Sequence, residues 1–165
     1  MAAHTPVSGT SDVLLRDVTE GDLPALFEQQ MDPEANRMAA FPARDRDAFM
    51  AHWAKILSDA STIKKTILFA GQVAGHIGIF EQAGRTLVGY WIGKQYWGKG
   101  IATRALSALL DEVEKRPVHA YVAKHNLGSI RVLEKCGFSI CDDEEVAAHA
   151  GGEDIEEVLL VLGGT

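Results

Sequence analysis

The chain has 165 residues, 47% of them apolar, a formal net charge of −7 and two cysteines. That length and apolar share suffice for one domain with a buried core, taken as residues 13–165 behind a flexible tail of residues 1–12. The acidic balance speaks against nucleic acid, no stretch reaches the roughly 20 apolar residues of a membrane helix, and the small, polar start carries no signal pattern.

A soluble, cytoplasmic protein is therefore expected, one that receives a cationic substrate better than an anionic one. Cys136 and Cys141 have no companion Cys pair and no clustered His, so neither a metal site nor a disulfide framework is expected.

Val13 to Val18 reads as a first strand. Thr19 or Asp22 can cap the helix that follows, marked by Leu23, Leu26, Phe27 and Gln30, with Pro24 tolerated in its first turn. A polar stretch holding Pro33 and Pro42 precedes residues 45–58, where Phe49, Trp53, Ile56 and Leu57 recur at helical spacing. Ile63 to Ala70 and Val73 to Glu81 flank Gly71-Gln72 as a hairpin, and Thr86 to Gly93 reads as a third consecutive strand. From Gly100 the period turns helical, with Ala102, Ala105, Leu106, Leu109, Leu110 and Val113 on one face until Pro117 ends it. Val118 to Val122 is a short strand, so strand, helix and strand in succession predict a crossover between parallel neighbours. Asn126 or Ser129 can cap a further helix through Cys136, which Gly137 and Phe138 stop. Phe138 to Cys141 and Ile155 to Leu162 close the chain as strands around the acidic segment 142–154.

The turn Gly98-Lys99-Gly100 stands where a strand gives way to the long helix. Two missing side chains let an anion approach N–H groups that have no intrahelical partner, and the positive end of the helix dipole points the same way. Taken alone, this pattern fits a dinucleotide site, a phosphate loop or a tight turn without a ligand. A Walker loop would need Ser or Thr after a Gly-Lys pair, and a Rossmann fingerprint a third glycine where Thr103 stands.

The segment Gln95-x-x-Gly98-x-Gly100-x-Ala102, followed by Asn126-x-x-Ser129-x-Arg131-Val132-Leu133-Glu134-Lys135-x-Gly137-Phe138, resembles the GNAT superfamily of N-acetyltransferases. The Gly-Tyr-Trp-Ile and Tyr-Trp-Gly-Lys-Gly-Ile-Ala wording is similar to its branch of ribosomal-protein N-terminal acetyltransferases, over residues 13 to about 162. The resemblance implies an α/β (α+β) fold: a mixed, mostly antiparallel sheet of about six to seven strands with about four helices. Its strands 86–93 and 118–122 would splay apart to admit acetyl-CoA as co-substrate. The pantetheine arm would pair with backbone near Trp91, Ile92 and Gly93. The pyrophosphate would rest on N–H groups of Gln95, Tyr96, Trp97, Gly98, Lys99, Gly100, Ile101, Ala102 and Thr103, with the Lys99 ammonium as an extra cation. Asn126 and Ser129 would touch the cofactor arm, and Arg131 or Lys135 would lie near its nucleotide end.

An alkyl amine with pKa near 10 is neutral at pH 7 in only about one molecule in a thousand, so an acceptor must lose a proton before it attacks a thioester. Backbone N–H groups at a strand bulge near Ile92 are suitable donors for the thioester oxygen as it gains charge. Many family members place a tyrosine, taken as general acid, where this chain has Leu133. The resembled branch uses a serine at the position of Ser129, the candidate acid here. A glutamate often begins the fourth strand as base, but Leu87 stands there, so Glu81 is the candidate base, with His76, His119 and Tyr121 as further available groups. Asp32, Glu34, Asp142, Asp143, Glu144 and Glu145 can form an acidic mouth for the amine. Phe41 and Trp53 can wall the pocket or fill the core, and the helical period of Trp53 favours the core for it. Two functions follow from the resemblance. One is an N-acetyltransferase acting on a protein N-terminus or a small-molecule amine, as monomer or homodimer; the other is a degenerate acyl-CoA-binding module.

Overall fold

The computed structural model describes residues 13–39, 43–141 and 156–163. The strands are β1 (Val13–Asp17), β2 (Ile63–Phe69), β3 (Gln72–Gln82), β4 (Arg85–Ile92), β5 (Val118–Ala123), β6 (Ser139–Ile140) and β7 (Glu157–Leu162). The helices are α1 (Leu23–Gln30), α2 (Pro33–Ala39), α3 (Arg46–Leu57), α4 (Ile101–Glu112) and α5 (Leu127–Lys135). The strands form one sheet in the order β1-β2-β3-β4-β5-β7-β6, antiparallel throughout except for the β4–β5 pair. This is the mixed, mostly antiparallel sheet expected, with one helix more than the four anticipated.

The extra helix is α2, which falls on the stretch read as polar and broken. Pro33 is its first residue, a position where the missing N–H costs nothing and the fixed φ favours helix. The Asp32 carboxylate accepts the Ala35 N–H at 3.2 Å and caps it. Phe41 and the acidic residues 142–145 lie outside the described residues.

Two tight hairpins deliver β2, β3 and β4 in series. Their loops, Ala70-Gly71 and Ala83-Gly84, carry positive φ at both positions, the geometry that matches the strand twist. The β3–β4 register runs from Gly75↔Ile92 to Gln82↔Arg85 without a shift, so the bulge anticipated near Ile92 is absent from that pairing. It lies one strand over, where the partners jump from Ile67↔Gly75 to Leu68↔Val73 and skip Ala74. The carbonyl of Ala74 turns to β4 and accepts the Gly93 N–H at 2.8 Å. Close approach is built in beside it, because a Cβ on Gly75 would collide with the Trp91 carbonyl oxygen.

The sheet is covered on both faces. On one, α4 and α5 bury Ile101, Ala105, Leu106, Leu109 and Leu133 against Ile67, Ile77, Val88, Ala120 and Leu160. Each of the Leu, Ile and Val side chains among them contributes roughly 1.5–3 kcal/mol. On the other, Leu23, Leu26, Phe49 and Trp53 of α1 and α3 pack beside Val18. Trp53 is core, as its period implied, and meets the His76 ring edge-to-face at 5.0 Å.

Asp22 ties this second layer to the sheet. Its carboxylate, almost fully buried, accepts from both terminal nitrogens of Arg16 at 2.8 Å, from the Thr19 N–H at 2.9 Å and from the Thr66 hydroxyl at 2.8 Å. These donors, the Arg16 guanidinium foremost, hold its pKa well below the usual carboxylate range. The folded pKa is depressed, so the stabilisation is present above the unfolded value of about 4 and is lost as pH falls through the folded one. Asp22→Ala is expected to lower the unfolding free energy by about 2–4 kcal/mol in denaturant titration at pH 7. Asp22→Asn should also lose the part of the acid-induced destabilisation below about pH 4 that titration of this carboxylate supplies.

Candidate active site

β4 and β5 share a single pair of parallel partners, Leu87↔His119, and then part. Beyond that point lies a cleft of about 720 Å³ between the end of β4, the N-terminus of α4, the first two turns of α5 and α2. The strands named in advance as splayed are the ones that separate.

The chain leaves β4 through a sequence of fixed bonds. Gly93 donates to Ala74, and the Trp97 indole N–H donates to the Ile92 carbonyl at 2.9 Å. Antiparallel pairs alternate between bonded and non-bonded, so with Gly93 bonded to β3 the Ile92 N–H faces the gap between β4 and β5. A 3-10 turn at Lys94–Tyr96 and two left-handed glycines, Gly98 at φ +78° and Gly100 at φ +76°, then bring the chain to α4. A Cβ on Gly98 would meet no atom within 4 Å, so backbone conformation rather than packing calls for glycine there. Gly100 is the N-cap and offers no side-chain acceptor, which leaves the N–H groups of Ile101, Ala102 and Thr103 without an intrahelical partner at the cleft wall.

Arg104 braces this turn from behind: its guanidinium donates to the carbonyls of Gly100 at 3.3 Å and Lys99 at 2.8 Å. The carbonyls are thereby occupied on one side while the amides face the other. The motif reading missed Arg104, although its place one turn into the helix, four residues after Gly100, is the signal for such a bond.

Of the residues expected to hold a cofactor, Trp91, Ile92, Tyr96, Trp97, Gly98, Gly100, Ile101, Ala102 and Thr103 line the cleft from the β4–α4 side. Asn126, Ser129, Arg131 and Lys135 line it from α5. Three do not. Gly93 is packed against Gln29, Gln95 faces a separate hollow with Glu28 and Asp32, and Lys99 is absent from the lining, its carbonyl taken by Arg104. The Asn126 Oδ1 caps α5 through the Ser129 N–H at 3.2 Å, so its amide nitrogen is the part left for a ligand.

Glu81 does not reach the cleft. It sits at the far end of β3 opposite Thr86, where its carboxylate takes the Thr86 hydroxyl at 2.7 Å and the Lys115 ammonium at 2.9 Å. The Thr86 bond and then Lys115 hold its pKa below the ordinary value, the opposite of what a base near neutrality requires. His76 lies under Trp53, and burial pushes its pKa well down. Tyr121 accepts from Arg85 at 2.9 Å, and burial, followed by the charge of the same guanidinium, lowers the His119 pKa. None of these four groups lines the cleft. Asp32 is used as a cap and Glu34 pairs with Lys94 at 2.6 Å, so neither forms the acidic mouth envisaged.

Among the described residues no Asp or Glu lines the cleft, whereas His125, Arg131 and Lys135 do. The chain is acidic, but the described lining of this cleft is not. Two lining groups were not foreseen. The Tyr90 hydroxyl lies 2.6 Å from Ser129 Oγ, and alternation with Val88 and Ile92 on β4 is the pattern that puts it on that face. His125 Nε2 lies 2.9 Å from the Arg37 carbonyl of α2, whose Ala35, Met38 and Ala39 form the remaining wall. No group of His, Cys, Asp and Glu fit for a metal ion occurs among the described residues, and no described helix is long and apolar enough to cross a membrane.

A family model described as "Acetyltransferase (GNAT) domain" matches residues 12–139. The putative ribosomal N-acetyltransferase YdaF of Bacillus subtilis is 32% identical over 100 residues, 56% of this chain and 55% of that protein. This chain thus spans about half the length of that relative. An uncharacterized N-acetyltransferase, p20 of Bacillus licheniformis, is 28% identical over 142 residues, 78% of this chain and 80% of that one. Among solved structures, spermidine N-acetyltransferase from Vibrio cholerae in complex with CoA and spermine superposes with a TM-score of 0.78 at 16% identity, covering 92% of this chain and 95% of that one. RimL, a ribosomal L7/L12 alpha-N-protein acetyltransferase in complex with CoA, gives 0.77 at 19% identity over 94% of each. The fold is shared with both structures, and the match over residues 12–139 shows that the chain belongs to the GNAT acetyltransferase family.

Proposed function

We propose that this protein moves the acetyl group of acetyl-CoA to a primary amine by direct attack, with the α-amino terminus of a polypeptide as the favoured acceptor. The observation that carries the donor side is the Gly98–Gly100 turn opening at the N-terminus of α4 onto the gap between β4 and β5. Donors fixed in that geometry suit a pyrophosphate, and Arg131 and Lys135 add charge of the right sign along the same wall. The bound donor supplies an acyl group already activated as a thioester. The rest falls to the chain.

Trp91 and Ile92 align the acyl arm along β4, and the Ile92 N–H is placed to stabilise an oxygen that gains charge. Ser129 can donate its hydroxyl hydrogen to the departing sulfur, whose thiol pKa of roughly 8.5 makes modest assistance enough. With Glu81 held elsewhere, we assign the base to His125. A carbonyl can only accept, so the bond to Arg37 places the proton on Nε2 and leaves the lone pair on Nδ1. An α-amine, with pKa of roughly 8, is neutral at pH 7 roughly a hundredfold more often than an alkyl amine and asks less of a histidine base. The name of the Bacillus subtilis relative points the same way. The competing reading, a module that binds acyl-CoA without turnover, rests on Leu133, fully buried in the core, and Leu87 standing where a tyrosine and a glutamate are expected.

Incubation with acetyl-CoA and a panel of N-terminal peptides, polyamines and amino acids, followed by free-thiol release, is expected to show turnover greatest with peptides. Tight acetyl-CoA binding without amine-dependent thiol release would favour the binding module instead. Gly100→Glu should abolish acetyl-CoA binding in calorimetry, because a side chain on a residue held at positive φ strains the turn that presents the amides, and its Cβ would stand beside the Arg104 guanidinium that braces that turn. An unchanged affinity would place the donor elsewhere. His125→Ala should lower kcat/KM by about a hundredfold at pH 7 with the affinity for acetyl-CoA retained.

A further inference from the structure

Leu133 faces the core with no exposed surface, so α5 brings no phenol to the cleft. A phenol arrives from β4 instead. Tyr90 lies three residues beyond the last partner shared with β5, where the strands have already separated, and its ring spans the opening to the first turn of α5. There its oxygen stands 2.6 Å from Ser129 Oγ and 3.4 Å from the Ser129 carbonyl. Both side chains line the cleft.

The direction of the short bond decides what Ser129 can do. A serine hydroxyl has one hydrogen and two lone pairs, a phenol one hydrogen. A phenol is the stronger acid of the two, and a 2.6 Å contact between neutral hydroxyls is at the short end of the O–H···O range. Either oxygen could donate in this contact; the greater acidity of the phenol favours Tyr90 as donor and Ser129 Oγ as acceptor, with the Ser129 carbonyl as a second, weaker acceptor. The hydrogen of Ser129 is then directed away from β4, toward the cleft. A donor that is itself accepting becomes a stronger donor, since hydrogen bonds in a chain polarise one another. Burial pushes the Tyr90 pKa up to about 12, so the phenol keeps its proton at every pH at which such an enzyme is assayed.

We infer that Tyr90 is a positioning residue that fixes Ser129 as a hydrogen-bond donor to the sulfur of the coenzyme, acting through Ser129 and not on the coenzyme itself. This rests on the reading of the cleft as a CoA site with Ser129 beside the sulfur. It goes beyond that reading by making the serine's usefulness depend on a residue of another element. When the C–S bond breaks, its electron pair stays on sulfur as a thiolate, the Ser129 hydrogen points at that charge, and the Tyr90 hydrogen remains shared with Ser129 Oγ. No proton is lost from the pair.

The test uses free CoA and the intact protein. The thiol of bound CoA is titrated through the ultraviolet absorbance of its thiolate, in wild type, Tyr90→Phe, Ser129→Ala and the double variant, with acetyl-CoA calorimetry and thermal melts confirming fold and binding. Tyr90→Phe keeps the ring, so its packing is retained. Expected are a wild-type thiol pKa about one unit below the free value of roughly 8.5 and a rise toward that value in each single variant. The double variant should rise no further than Ser129→Ala alone. Turnover with the best peptide should fall about tenfold in Tyr90→Phe through kcat, with KM for acetyl-CoA unchanged, and with the same lack of additivity.

A Tyr90→Phe variant that titrates like wild type while Ser129→Ala shifts would overturn the inference and leave the Ser129 reading standing. Shifts that add in the double variant would also overturn it, because Tyr90 would then act independently of Ser129. A Ser129→Ala variant indistinguishable from wild type would remove both.

Discussion

The separation of β4 from β5 is the constraint on which the rest of this structure depends. A parallel pair that shares only Leu87↔His119 leaves the edges of both strands without ladder bonds just where the core would otherwise be continuous. Unpaired backbone polar groups of that kind need another partner. The chain supplies some itself: Trp97 covers the Ile92 carbonyl, and the spare carbonyl of Ala74 takes the Gly93 N–H. What it leaves, the amides at the head of α4 and the Ile92 edge, is a set of donors spread along one cleft. The packing on either side keeps the strands from closing, because α4 and α5 bury their apolar faces against the sheet and Tyr90 reaches across to α5. An open sheet is tolerable here because each freed group has either a specific partner or a place in the cleft.

Such an arrangement divides naturally into a part made of backbone and a part made of side chains. The donor part requires positive φ at Gly98 and Gly100 and free N–H groups after them, which only particular residue types allow. Those requirements leave marks in the sequence. The helical period from Ala102 to Leu110, the paired hairpins and the crossover from β4 through α4 to β5 were likewise legible, since each follows from local pattern. Side chains that meet across the cleft carry no such mark. Tyr90 and Ser129 are distant in sequence and come together only because the strand ends beside the first turn of α5. The same limit explains Glu81, a plausible carboxylate at a strand end that the fold directs to Lys115 and Thr86. For α2 the cause is different. Pro33 reads as a breaker by identity and acts as a starter by position, with Asp32 as its cap.

Charge shows the same gap between composition and placement. The chain carries −7 overall, and the described acidic residues nearest the cleft are spent on caps and ion pairs, Asp32 on α2 and Glu34 on Lys94. The cleft is left to His125, Arg131 and Lys135. Net charge governs long-range attraction and solubility; a cleft a few ångströms across answers to the groups that line it.

The α2 wall of the cleft is the one most easily altered. Replacing Gly98 or Gly100 would disturb backbone conformation and every amide behind it, whereas Ala35, Met38 and Ala39 present ordinary side chains from a short helix. The helix is held by the local Asp32 cap and by two long-range contacts, the Glu34–Lys94 pair and the His125–Arg37 bond. Changes on the cleft side of α2 can reshape acceptor space while leaving the glycine turn untouched, so donor and acceptor preference can vary separately on one scaffold. His125 joins the two halves. It precedes the cap of α5 on one wall of the cleft, and it bonds to the backbone of α2 on another. As the base proposed above, it would be placed by both, and a shift in α2 would move the lone pair of Nδ1 with it.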